Sequence, residues 1–104
     1  MGLMDLFKSA PSIEEGLEKM KEVSNAVLLD VRSEEEYKDG HLEGSINIPL
    51  NKIAGITLSK DTPLFVYCLS GGRAGRAVAF LQKSGYDAVN LGGISNYNGT
   101  LVRS

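Results

Sequence analysis

The sequence predicts an α/β domain built as three layers, with helices on both faces of a small, mainly parallel sheet. Short runs rich in aliphatic and aromatic residues alternate along the chain with segments of helical periodicity. This order is typical of parallel strands joined by right-handed crossovers. The 104 residues, 42% of them hydrophobic and 23% charged, suit one folded domain with a single core. We therefore expect a short leader at residues 1–11 and one domain at residues 12–104.

Two capping boxes predict where the helices of the first half begin. Ser12 stands three residues before Glu15. Ser33 stands at the same distance before Glu36. In such a pair each side chain accepts a hydrogen bond from the backbone N–H of the other residue. Pro49 ends a strand because proline donates no ladder hydrogen bond. The predicted elements are a helix at about 13–23, strands at 26–31 and 45–48, and a short acidic helix at 34–39.

The second half contains the central strand and the longest helix. Four apolar residues keep the spacing i, i+3, i+4 and i+7 of one helix face: Ala74, Ala77, Val78 and Leu81. Gly85 is suited to end that helix, because glycine readily adopts the left-handed conformation that follows a helix. The predicted elements are a short helix or turn within 50–58, strands at 64–67 and 88–91, and a helix that ends before residue 85.

The only cysteine, Cys68, directly follows the strand at 64–67 and precedes a helix. Open α/β folds bind ligands at the carboxyl ends of their parallel strands, where Cys68 would lie. The start of a helix at this edge favours a thiolate. Gly71 and Gly72 let the backbone curl around an anion, and Arg73 adds a permanent cation. The alternative is a small buried hydrophobe followed by an ordinary turn. The cation and the helix start favour a reactive cysteine.

Composition excludes several classes of partner. Eleven Lys and Arg face thirteen Asp and Glu, a net charge of −2, so the chain lacks the basic excess that nucleic acids or anionic membranes require. A single cysteine forms no internal disulfide, and no secretory signal is recognisable, so we expect a cytoplasmic protein. One Cys and one His do not supply the ligands of a structural zinc site. We expect neither a metal nor a cofactor.

Several segments occur in the order and spacing of one family: Asp30-Val31-Arg32, Glu36-Tyr37, residues 40–49, the Cys68 loop, Gly85-Tyr86 and residues 91–94. Over about residues 13–97 the chain thereby resembles a single-domain rhodanese, a thiosulfate sulfurtransferase-like protein. The resemblance implies that the domain at 12–104 is rhodanese-like and that Cys68 carries a persulfide during turnover. It also implies that backbone N–H groups of the following loop hold this sulfur. The substrate-binding residues would then be Leu69, Ser70, Gly71, Gly72, Arg73 and Ala74.

Two residues depart from the family pattern. Tyr97 stands where many members have a tryptophan, which predicts thinner packing near the end of the domain. Leu69 occupies a position that is often basic or polar in rhodaneses that use thiosulfate. One guanidinium serves a dianion with less charge than two cations would. Leu69 therefore weakens the expectation of thiosulfate as the physiological donor.

Other polar residues near this loop have structural and functional interpretations. Asp30 and Arg32 end the neighbouring strand, where they would orient the loop or contact substrate. We favour a structural ion pair, because Arg32 and Glu36 are four residues apart across a helix start. His41 is expected to fix its turn by hydrogen bonding rather than to act as a base. The acidic run at 34–36 is interpreted as a solvated helix start that complements the helix dipole.

The expected reaction is a double displacement. The Cys68 thiolate takes the outer sulfur of thiosulfate or of a persulfide donor, and a second nucleophile then removes it. Because the chain has no other cysteine, the acceptor must be external. We expect a low-molecular-weight thiol, a thioredoxin-like dithiol or a carrier protein.

Three alternatives stay open. A persulfide relay would use the same chemistry with protein partners. A phosphatase or arsenate reductase of the same fold family would place five residues between Cys and Arg, whereas four residues separate Cys68 from Arg73. A non-catalytic interaction module would usually lack the cysteine.

Overall fold

A computed structural model of the chain describes residues 2–3 and 12–103. Its strands form one sheet in the order β2-β1-β3-β4, and every neighbouring pair is parallel. The predicted parallel sheet is therefore confirmed. The four strands are β1 (Val27–Asp30), β2 (Ile46–Asn47), β3 (Leu64–Cys68) and β4 (Ala88–Gly93).

The first two helices begin where the capping boxes predict. Both boxes are complete, with each serine hydroxyl and each glutamate carboxylate accepting the expected N–H. The first helix ends three residues before the predicted boundary, and the uncertain segment after Pro49 is a 3-10 helix. The α-helices are α1 (Ile13–Met20), α2 (Glu34–Asp39) and α3 (Gly72–Lys83), and 3-10 helices lie at Leu50–Gly55 and Ile94–Asn96.

The central strand β3 contributes to the core on both faces of the sheet. Its side chains alternate, so that Leu64, Val66 and Cys68 belong to the apolar cluster that includes α3. Phe65 and Tyr67 belong to the opposite cluster, which includes α1. A strand buried on both faces reads as a continuous apolar run, as this one does. The three-layer α/β architecture is confirmed.

The sequence before α1 falls mostly outside the described residues. The predicted leader at 1–11 includes residues 1 and 4–11, which are among those not described. Leu3 is buried with the α1 cluster, and its N–H donates to the Asp87 carboxylate at 2.7 Å. The division into leader and domain stays a prediction. Among the described residues, no helix is long and apolar enough to cross a membrane.

The parallel strands bring their carboxyl ends to one edge of the sheet. Asp30 pairs in register with Tyr67, so the residues that follow β1 and β3 leave the sheet side by side. A register shift in β4 places Gly92 opposite Tyr67 and Gly93 opposite Cys68. This edge therefore combines the start of α2, the Cys68 loop and the two glycines of β4.

Candidate active site

Cys68 ends β3 with its side chain buried beneath the start of α3. Its Sγ accepts hydrogen bonds from the N–H of Gly71 at 2.9 Å and from the N–H of Ala74 at 3.4 Å. We call these two donors the sulfur cradle. Backbone N–H groups at a helix start stabilise negative charge. The cradle therefore suits a thiolate or an anionic sulfur attached to it.

One of the two loop glycines is required by the backbone conformation. Gly71 caps α3 with a φ of 105°, in the left-handed region that side chains disfavour. Gly72 lies in the first turn of α3, and a Cβ there would meet nothing within 4 Å. The backbone conformation therefore calls for glycine at Gly71, and close approach of an anion to Gly72 stays a prediction.

Residues of β4 and the following segment hold the loop in place, which the sequence analysis missed. The carbonyl of Leu69 accepts the N–H of Ser95 at 3.0 Å, and the carbonyl of Gly71 accepts Nδ2 of Asn90 at 3.1 Å. A Cβ at Gly93 would lie 2.0 Å from the Leu69 carbonyl oxygen. The Gly-Gly pair at the end of the last predicted strand was the available signal, because glycine in a strand marks close approach of another backbone.

Arg73, at the end of the loop, forms an ion pair with Glu36 of α2. Its Nη1 lies 2.6 Å from Oε1 and its Nη2 lies 3.0 Å from Oε2 of Glu36. The hydrogen bond from Arg73 lowers the pKa of Glu36 to about 2, although burial opposes this shift. The hydrogen bond to Glu36 in turn raises the pKa of Arg73. The interpretation of Glu36 as a solvated residue of the helix start is therefore wrong.

The expected ion pair between Arg32 and Glu36 is also wrong, because Arg32 turns inward. Its Nη2 lies 2.6 Å from Oδ2 of Asp30, and the same nitrogen donates to the carbonyl of Gly40 at 2.7 Å. Both side chains are buried. Burial opposes the charge of Arg32, but the hydrogen bonds and charge of Asp30 outweigh it, so the pKa of Arg32 is raised. Asp30 and Arg32 tie the end of β1 to the Gly40 turn.

His41 packs within its own turn. Its Nδ1 donates to the carbonyl of Tyr37 at 2.6 Å, and its ring stacks on the Tyr37 ring with centroids 3.6 Å apart. The backbone of His41 pairs with Val102 in an isolated antiparallel bridge. These contacts assign His41 a structural role in the turn, in agreement with the interpretation of the sequence.

A buried tyrosine supports the same turn from the sheet. The Tyr67 hydroxyl accepts the N–H of Leu42 at 3.1 Å and lies 3.0 Å from Oγ of Ser45. Burial raises the pKa of Tyr67, so its hydroxyl stays protonated. The turn is therefore fixed to β3 one residue before Cys68.

The entrance to the site is formed by the exposed residues beside Cys68. Leu69 is 45% exposed, and Ser70 is exposed as well. Arg73 borders a cavity of about 340 Å³ whose other lining residues are Val31, Ser33, Pro49, Leu50 and Asn51. The structure thus brings the sulfur cradle, a paired guanidinium and an apolar side chain to one place.

Comparison with known proteins places this chain in one family. The sequence profile of the rhodanese-like domain matches residues 13–100. Thiosulfate sulfurtransferase PspE of Escherichia coli is 38% identical over 73 residues, covering 65% of this chain and 70% of PspE. The uncharacterized protein YqhL of Bacillus subtilis is 36% identical over 80 residues, covering 73% of this chain and 64% of YqhL. A rhodanese-like domain protein from Staphylococcus aureus has a crystal structure that matches with a TM-score of 0.79 at 27% identity, covering 90% of this chain and 96% of that one.

Some of the matched proteins are longer than this chain. The chain spans less than two thirds of YqhL. It spans 16% of adenylyltransferase and sulfurtransferase uba4 of Ogataea parapolymorpha, at 40% identity over 63 residues. The family profile nevertheless covers most of the chain, and the parallel sheet and flanking helices agree with the solved relative. The chain belongs to the rhodanese-like domain family.

Proposed function

We propose that this protein is a sulfurtransferase that carries sulfane sulfur on Cys68. The observation that carries the proposal is the sulfur cradle, in which Gly71 and Ala74 donate their N–H groups to Sγ. Family membership and the sulfurtransferase PspE among the relatives support sulfur transfer as the type of chemistry. We propose Cys68 as the nucleophile and the residues from Leu69 to Ala74 as the substrate-binding loop.

In the first half-reaction, the Cys68 thiolate attacks the outer sulfur of thiosulfate. A new S–S bond forms to Cys68, the S–S bond of thiosulfate breaks, and sulfite leaves with that electron pair. The product is a Cys68 persulfide whose outer sulfur is negatively charged. Helix N–H groups stabilise such a charge. The first turn of α3 also includes the N–H groups of Gly72 and Arg73, which have no acceptor within the helix.

Arg73 is suited to contact the oxyanions of the donor. A guanidinium has five N–H donors, and Arg73 uses two of them on Glu36. Arg73 directly precedes Ala74, whose N–H donates to Cys68 Sγ, so the guanidinium belongs to the same turn that holds the sulfur. The remaining donors are available to the sulfonate end of thiosulfate.

In the second half-reaction, an external nucleophile attacks the outer sulfur and regenerates the thiolate. Cyanide serves this purpose in an assay, with thiocyanate as the product. In a cytoplasmic setting we propose a low-molecular-weight thiol, a thioredoxin-like dithiol or a carrier protein. The chain has one cysteine, so no internal thiol accepts the sulfur.

A persulfide relay between proteins is the second candidate. The exposed apolar side chain of Leu69 beside Cys68 favours contact with another protein surface. The relative uba4 is named as both an adenylyltransferase and a sulfurtransferase, which is consistent with sulfur passing between proteins. Phosphatase or arsenate reductase chemistry is disfavoured, because only four residues separate Cys68 from Arg73.

The mass of the intact protein tests the proposal. After mixing with thiosulfate, we expect the mass to increase by one sulfur atom, and cyanide should remove it with release of thiocyanate. Cys68→Ser is the control and should gain no sulfur. A protein persulfide donor that loads Cys68 where thiosulfate does not would favour the relay. An unchanged mass with every donor would refute sulfur transfer.

A further inference from the structure

Glu36 neutralises the charge that the loop brings to the site. Arg73 is the only charged residue from Cys68 to Ala74, and both oxygens of the Glu36 carboxylate bind its guanidinium. Glu36 is itself held by α2, since the N–H and the hydroxyl of Ser33 donate to Oε1 at 3.1 and 3.0 Å. The carboxylate therefore has its orientation from its own helix and binds Arg73 without a large loss of side-chain freedom.

Two other ion pairs lie around this edge of the sheet. Asp30 and Arg32 form a buried pair, and Glu34 lies 3.6 Å from Lys52. These two pairs and the pair of Arg73 with Glu36 each have no net charge. Leu69 adds an exposed apolar surface. Ion pairs without net charge and an apolar side chain do not attract a donor of high negative charge more strongly than a singly charged one.

We infer that Glu36 is a positioning residue that sets donor selectivity: by neutralising Arg73, it makes the site favour singly charged sulfur donors over the thiosulfate dianion. The inference rests on the proposed sulfur transfer and adds the class of donor to it. Glu36 stays ionised at neutral pH, because its pKa lies at about 2.

Two donors that differ by one charge isolate this effect. Thiosulfate carries two negative charges and releases sulfite, whereas methanethiosulfonate carries one and releases methanesulfinate. In both, the Cys68 thiolate attacks the terminal sulfur, a new S–S bond forms, and the donor's sulfur–sulfur bond breaks with its electrons leaving on the sulfonyl sulfur. The persulfide product on Cys68 is the same. The ratio of kcat/KM for the two donors therefore reports on charge recognition.

Glu36→Gln frees the charge of Arg73 and retains a residue that completes a capping box. We expect kcat/KM for thiosulfate to rise about tenfold and that for methanethiosulfonate about threefold, because the interaction with Arg73 scales with donor charge. Glu35→Gln is the matched control. Glu35 is exposed on the same helix turn, so its removal changes net charge equally without releasing Arg73. The donor ratio should rise only in Glu36→Gln.

Salt dependence provides a measurement on the unaltered protein. With Arg73 neutralised by Glu36, the thiosulfate rate should change little between low and physiological ionic strength. In Glu36→Gln the rate should fall with salt, because the freed cation is screened. A donor ratio in Glu36→Gln equal to that of the unaltered protein, or a steep salt dependence already present in the unaltered protein, overturns the inference alone. Failure of both donors to add sulfur to Cys68 in any variant overturns the proposed function as well.

Discussion

The starts of α2 and α3 lie next to each other at the same edge of the sheet, yet different atoms satisfy their first N–H groups. In α2, Ser33 Oγ accepts the N–H of Glu36 at 3.2 Å, and the Glu36 carboxylate accepts the N–H of Ser33 at 3.1 Å. In α3 the cap residue is Gly71, which has no side chain to contribute. Its N–H and that of Ala74 both donate to Cys68 Sγ.

A single sulfur thus does in α3 what a hydroxyl and a carboxylate do together in α2. The position that Sγ occupies is one where a helix start accepts an anion, because the box in α2 places a carboxylate there. A negatively charged sulfur added to Cys68 would be stabilised by the same helix start. The difference between the two helices shows that the start of α3 is capped by the sulfur of the preceding strand instead of by a local side chain.

Replacing Cys68 by serine makes the start of α3 resemble that of α2, and it should have the largest effect on function. We expect Cys68→Ser to abolish sulfur loading while the free energy of unfolding stays within about 1 kcal/mol, because a hydroxyl also accepts the two N–H groups. Intact mass after thiosulfate treatment and urea denaturation measure the two effects. Sulfur transfer that survives the substitution would contradict the role of Cys68.

A methyl group at Gly93 should break the geometry of the cradle without touching the cysteine. Its Cβ would lie 2.0 Å from the Leu69 carbonyl oxygen and 2.5 Å from Cα of Ser70. Because both contacts are with backbone, we expect Gly93→Ala to cost roughly 1–3 kcal/mol of stability. Displacement of the loop should lower sulfur transfer about a hundredfold.

Gly55→Ala is the matched control for this substitution, since a Cβ at Gly55 would meet nothing within 4 Å. It should leave sulfur transfer unchanged. Equal rates in Gly93→Ala and Gly55→Ala would show that the close approach of β4 to the loop has no functional weight.

The serine caps allow a subtler comparison. Ser12→Ala and Ser33→Ala should each lower the free energy of unfolding by about 1 kcal/mol, because each removes the acceptor of an N-cap. Only Ser33→Ala also removes a hydrogen bond that orients the Glu36 carboxylate. Because Glu36 then binds Arg73 less firmly, only this variant should show a small rise in kcat/KM for thiosulfate. Identical donor kinetics in the two variants would separate the cap of α2 from the site.

The smallest expected effect is on stability at acidic pH. The pKa of Glu36 is about 2 in the folded protein, below its ordinary value of 4.5. A lowered carboxyl pKa stabilises the fold above pH 4.5, and this contribution is lost as the pH falls towards 2. Because the pair is partly exposed, we expect a loss of no more than about 1 kcal/mol.

Urea denaturation at a series of pH values measures this effect. Glu36→Gln should lose less stability between pH 4.5 and 2 than the unaltered protein, and Glu35→Gln should follow the unaltered protein. Parallel curves for all three proteins would show that the ion pair with Arg73 adds nothing to stability.

Local sequence signals predicted the parts of the fold that depend on neighbours along the chain. The box of Ser33 and Glu36 placed α2 at its observed residues, and Gly85 was correctly expected just beyond α3. The 3-10 helix after Pro49 was harder, because its six residues repeat no α-helical pattern. Capping residues are therefore sufficient to predict the ends of these α-helices, whereas weak periodicity is not sufficient to predict the 3-10 helix.

The errors in the site concern partners distant in sequence. Spacing suggested that Arg32 pairs with Glu36, but buried Asp30 offers Arg32 two oxygens, and Glu36 is left to Arg73, 37 residues away. The approach of Gly93 to Leu69 depends on the register shift in β4. A single sequence does not contain such geometry, because it arises from how strands pair.

The two carbonyl anchors of the loop determine how it moves. The N–H of Gly71 belongs to the Ser70–Gly71 peptide, which lies between two peptides whose carbonyls are hydrogen-bonded, that of Leu69 to Ser95 and that of Gly71 to Asn90. Displacing this part of the loop from Sγ would therefore break one of these two bonds. The loop should therefore keep one backbone conformation on the nanosecond to microsecond timescale whether or not it carries sulfur. In the proposed sulfur transfer, Cys68 would then be loaded and unloaded with little change in conformational entropy, and the bonds exchanged would set the energy of each step.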